Sequence, residues 1–92
     1  MIYVVERYLP GLVYRELLRS LQQLRRAADD AGNGEAPVRY LGSTIVPGDE
    51  ACFCEFDGPS VASVAEVNTR AGLPFDRIVP AVIVGPNKGE LR

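Results

Sequence analysis

PVRYLGSTIVPGDEACFCEFDGPS, residues 37–60, is the stretch that decides the fold. Pro37 opens an extended segment from Val38 to Val46, rich in β-branched and aromatic residues. Pro47-Gly48-Asp49 then signals a turn, with Pro and Gly in the order of a type II turn. A second extended segment follows from Ala51 to Asp57, so the two read as a hairpin. Gly58-Pro59-Ser60 opens a helix, because proline tolerates the first turn and serine caps its free N–H groups.

Upstream, Ile2 to Tyr8 is another strand, ended by Pro10-Gly11. Leu17, Leu21, Leu24 and Ala28 then recur on one helical stripe, widened by Leu18. Arg15, Glu16, Arg19, Gln22, Gln23 and Arg26 occupy the opposite face, and Gly32-Asn33-Gly34 stops the helix. Downstream, Val61, Val64, Ala65 and Asn68 mark the buried side of the second helix. Gly72 ends it in the left-handed cap conformation, Pro74 reinforces the stop, and a last strand runs from Arg77 to Val84. The order strand-helix-strand-strand-helix-strand is an α+β, ferredoxin-like βαββαβ pattern. It implies a four-stranded antiparallel sheet with both helices on one face, in one domain over residues 1–85. Residues 86–92 read as a flexible C-terminal tail.

Such a sheet leaves one face bare, and 92 residues bury only about 60–65% of the unfolded surface. A homodimer of the dimeric α/β barrel type, with a second subunit covering that face, is the expected state. Ten Lys plus Arg against twelve Asp plus Glu give a net charge of −2, which argues against nucleic acid as a partner. No apolar run reaches the roughly 20 residues of a membrane span, and none resembles a leader, so a cytoplasmic protein is expected. The chain has no histidine, which removes the commonest general base and transition-metal ligand together. Chemistry is left to carboxylates, tyrosines, arginines or thiols.

Alternation along the third strand puts Cys52, Cys54 and Phe56 on one side and Phe53, Glu55 and Asp57 on the other. The cysteines read as small core residues on the helix side, since bridging neighbours i and i+2 along one strand is strained. A C-x-C metal site at Cys52 and Cys54 is the sharper alternative and needs further ligands. Glu55 then falls on the open face, and Glu6 interrupts an apolar run on the adjacent first strand. Arg7, Arg39 and Arg77 lie on the first, second and fourth strands, with Tyr40 and Tyr3 adding phenols. One reading pairs these charges as ion pairs across strands or across a dimer. The other makes Glu6, Glu55 or Tyr40 catalytic, or makes Glu6, Arg7, Arg39, Tyr40 and Glu55 a ligand site.

Four segments carry a family resemblance: Val4-Val5-Glu6-Arg7, Pro37-Val38-Arg39-Tyr40-Leu41, Cys52-Phe53-Cys54 leading to Gly58-Pro59-Ser60, and Ala71-Gly72-Leu73-Pro74-Phe75-Asp76-Arg77-Ile78. From about Ile2 to Val84 the chain resembles a small bacterial ferredoxin-like family of largely unknown function, often labelled nickel-binding. The resemblance implies a homodimer of this fold and nickel as a cofactor. Some members carry a histidine about where Gly42 stands and another near Val67; this chain has neither, which leaves oxygen or thiolate ligands. The expected function is a homodimeric binding protein holding a metal ion or small ligand between two sheets. The alternatives are a cofactor-independent enzyme of the monooxygenase, cyclase or isomerase type, and a purely structural or regulatory interaction module.

Overall fold

The computed structural model describes residues 1–31 and 37–85. The helix stop at Gly32-Asn33-Gly34 and the tail from residue 86 to 92 lie outside the described residues. The elements are β1 (Ile2–Tyr8), α1 (Tyr14–Ala31), β2 (Arg39–Val46), β3 (Ala51–Asp57), α2 (Val61–Arg70) and β4 (Arg77–Ala81). The sheet is antiparallel with strand order β2-β3-β1-β4, the ferredoxin-like arrangement the element order implied.

Alternation explains which residues make the core. On β1, Tyr3, Val5 and Arg7 are buried beneath the helices, while Ile2, Val4 and Glu6 turn to the open face. On β3, Cys52, Cys54 and Phe56 are fully buried on the helix side, as the spacing predicts. Leu17, Leu21, Leu24, Ala27 and Ala28 of α1 and Val64 and Val67 of α2 close the layer from above. Leu24 at 0% exposure and the Leu17 and Leu21 flanking it put several kcal/mol of apolar burial, by order of magnitude, into this one helix stripe. Among the described residues no helix is long and apolar enough to cross a membrane.

The element ends follow from local chemistry. Ser60 caps α2 by accepting the Ser63 N–H at 3.1 Å. At the other end the Leu73 N–H reaches the Asn68 carbonyl at 3.2 Å and the Gly72 N–H reaches the Thr69 carbonyl at 3.0 Å, with Gly72 at φ 72°. These are the two bonds of a Schellman cap, and they need the left-handed residue that glycine supplies.

Three boundaries differ from the expectation. β4 stops at Ala81 rather than Val84, because Ala81 pairs with Ile2 and β1 begins there. β2 begins at Arg39, one residue after Val38, opposite the last β3 residue, Asp57. Pro47-Gly48-Asp49 forms a single 3-10 turn instead of a type II turn. Its left-handed residue is Glu50 (φ 50°), not Gly48, since a four-residue connection between Val46 and Ala51 rejoins the ladder through its last position.

Candidate functional site

The predicted site residues do not share one face. Glu6, Arg39 and Glu55 belong to the open side of the sheet, whereas Arg7 and Tyr40 turn toward the helices. The five-residue ligand set is therefore split, and the physical reason lies in the pleat and in one bulge. Glu6 and Arg7 are sequence neighbours on a regular strand, so they must point to opposite sides. On β2 the register shifts between Tyr40 and Gly42, leaving Leu41 as an extra residue. Tyr40 pairs with Phe56 and Ser43 pairs with Cys54, so both sit on the helix side despite an odd spacing.

On the open face, Glu6 accepts a hydrogen bond from Arg77 Nε at 2.9 Å across the β1–β4 ladder. That bond and the charge behind it raise the Arg77 pKa. Arg39 and the N-terminal amine both contact Asp57, at 3.4 and 3.2 Å. Glu6, Arg39, Arg77 and Asp57 thus follow the ion-pair reading. Glu55 stands apart: half-buried, it has no hydrogen-bond or ion-pair partner among the described residues. It lies opposite Val4 on one side and Gly42 on the other, and a side chain built at Gly42 would meet nothing within 4 Å. Glu6 is paired with Phe53, one diagonal step away, and does not share Glu55's rung.

Gly42 bears on the metal question through its backbone. Its φ of 148° belongs to conformations that L side chains rarely adopt. A histidine at this position would therefore be strained in this bulge. Among the described residues no three histidine, cysteine, aspartate or glutamate side chains gather into a group able to hold a metal. The donors of the described residues in one chain therefore do not fit a nickel site.

The helix side holds a second polar cluster. Arg7 is fully buried, its Nη1 donating to the Leu73 and Pro74 carbonyls at 3.3 Å and its Nη2 to Asn68 Oδ1 at 2.6 Å. Asn68 is itself fully buried and donates Nδ2 to the Val64 carbonyl at 2.8 Å. Together they pin the α2–β4 corner to β1. None of Arg7's acceptors is a carboxylate, and its Nε has no partner.

Beside Arg7 runs a chain of hydroxyls and thiols. Tyr40 Oη is 2.5 Å from Ser43 Oγ, Ser43 Oγ is 2.8 Å from Cys54 Sγ, and Cys54 Sγ is 3.7 Å from Cys52 Sγ. Both cysteines are free thiols, as the strand geometry demands. The hydrogen bond from Cys52 lowers the Cys54 pKa to about 6, helped by Ser43 and the Arg7 charge. The same bond, with burial, raises Cys52 well above the ordinary thiol range. The opposite shifts make Cys54 the readier of the two sulfurs to ionise, with Cys52 the thiol beside it. Burial is also the main cause of a raised Tyr40 pKa.

Sequence reasoning found the cysteines' side and the left-handed Gly72, but missed Ser43, the Arg7–Asn68 bond and their link to Cys54. Alternation from Tyr3 and Val5 pointed to Arg7 all along. Nothing in the residue spacing signals the bulge that brings Ser43 round.

The fold has a solved counterpart. The crystal structure of SCO4226 from Streptomyces coelicolor A3(2) superposes with a TM-score of 0.77 at 20% sequence identity, covering 92% of this chain and 100% of that one. No curated protein matches the sequence. Residues 3–81 match the family described as nickel responsive protein, SCO4226-like, and the chain belongs to that family.

Proposed function

We propose that the protein is a homodimeric binding protein whose two open sheet faces enclose a small cationic ligand, a metal ion or a small organic molecule, beside the Glu55 carboxylates. The observation that carries this reading is Glu55 itself. It is a carboxylate on the uncovered face, with no partner among the described residues and open space across the ladder at Gly42. A half-buried carboxylate without a donor favours an arriving cation. The apolar residues around it, Val4, Phe53 and Val79, suit coverage by a second copy.

The family description names nickel, and the match supports testing that ion first. The described residues of one chain hold no group of donors for it, so a metal at Glu55 would take carboxylates from both subunits and water, a hard-oxygen set unlike the imidazole sites nickel favours. The enzyme reading has less behind it, because Tyr40 turns away from Glu55 and Glu6 is held by Arg77.

Isothermal titration of nickel and of small amines into the wild type and Glu55→Gln tests the proposal. A cation bound by the wild type at least tenfold more tightly than by Glu55→Gln is the expected outcome. Equal affinities, or no binding by either protein, would overturn it.

A further inference from the structure

The buried cluster on the opposite side of the sheet has a use that the open face does not explain. Arg7 carries a positive charge at 0% exposure, held by carbonyl and amide oxygens and by no carboxylate. Its Nε is the unpartnered polar side-chain atom among the buried described residues. A buried cation without an anion is costly. Directly across the ladder from Arg7 stands Cys52, and Cys54 follows on the same face. Their sulfurs are 3.7 Å apart with nothing covalent between them.

We propose that Cys52 and Cys54 form a two-sulfur site for a soft monovalent cation, such as copper(I) or silver(I), with Arg7 as the charge that balances the complex. Thiolate sulfur selects soft ions, and two such ligands suffice for a monovalent d10 ion. Charge arithmetic favours that valence. A monovalent ion bound by two thiolates carries −1, which pairs with Arg7. A divalent ion bound the same way is neutral and leaves Arg7 uncompensated, which sets this site apart from the family's nickel.

The geometry is within reach. Metal–thiolate bonds are roughly 2.3 Å in zinc sites, so two of them in line span ~4.6 Å. The sulfurs need to part by less than about 1 Å, or keep their spacing around a bent S–M–S unit. Ser43 Oγ, 2.8 Å from Cys54 Sγ, can donate to that sulfur in either case. Binding forms two metal–sulfur bonds, breaks none to carbon, and sends any thiol proton still present to solvent. No electron is transferred.

Silver(I) nitrate in chloride-free buffer is the probe, because silver(I) needs no reductant. Native mass spectrometry of the wild type should show one silver per chain, and X-ray absorption should show two sulfur neighbours. Cys52→Ser should weaken binding at least 100-fold, while Glu55→Gln leaves it unchanged, separating this site from the open face. Absence of silver from the folded wild type, an oxygen or nitrogen shell, or undiminished binding by a folded Cys52→Ser would overturn the proposal. Should Cys52→Ser fail to fold, the wild-type stoichiometry and sulfur shell decide alone. Nickel(II) competing on equal terms for the two sulfurs would also sink it.

Discussion

At Arg7 a full positive charge leaves water and meets only dipoles and sulfur. Asn68 and the Leu73 and Pro74 carbonyls satisfy part of the guanidinium, and its charge in turn helps to lower the Cys54 pKa. The sign of the resulting pH dependence follows from the two thiols. Cys54 is lowered to about 6 in the folded chain, below its value in the unfolded one. Its stabilisation is therefore complete above the unfolded thiol value and lost as pH falls through about 6. Cys52 is raised, so the folded state resists its ionisation and loses stability as pH climbs beyond the unfolded thiol value. With no histidine in the chain, no imidazole titrates in this window. Urea denaturation should show stability rising by about 2 kcal/mol from pH 6 toward 8.5 and falling above it. Cys54→Ala should lose the rising limb. A limb of the same height in that variant would assign it to another group.

Among the elements, the α2–β4 corner shows how one residue type sets a boundary. Gly72 adopts φ 72° and closes both bonds of the helix cap, which brings Leu73 and Pro74 to Arg7. A methyl group at Gly72 would touch nothing within 4 Å, so its cost is conformational and not steric. Gly72→Ala should lower stability by about 1–2 kcal/mol, read from thermal unfolding. A change below a few tenths of a kcal/mol would mean the corner relaxes to another conformation. The bulge in β2 is the counterpart on the other edge. Inserting Leu41 rotates Tyr40 and Ser43 onto one side and leaves Gly42 opposite Glu55. A single irregularity thus builds the buried hydrogen-bond chain and clears space on the open face.

On the scale of the whole molecule, one layer of two helices covers one side of the sheet and leaves the other open. Val82, Ile83 and Val84 continue past the end of β4 with large exposed surfaces, and Tyr8 is half exposed against Phe53 in an edge-to-face contact. If a second copy covers this side, a charge at its centre must be buried without compensation. Val4 lies between Glu55 and Val79 in the ladder. Sedimentation equilibrium should find a dimer for the wild type and a monomer for Val4→Lys, both with unchanged circular dichroism. A monomeric wild type would leave the open face without the partner proposed for it.

What the sequence determined by itself was the element order, the strand pairing it implies and the side on which the cysteines lie. These depend on local periods, 2 for strands and 3.6 for helices, and on caps such as Ser60 and Gly72, all of which act within a few residues. The same period separates Glu6 from Arg7, so that part of the split was legible as well. Tertiary structure alone decided that Arg77 holds Glu6, that Asn68 holds Arg7, and that Tyr40 and Ser43 meet Cys54. Each joins residues whose contact depends on register, on a bulge or on the packing of α2 over β1, quantities set by the whole sheet and not by neighbours along the chain.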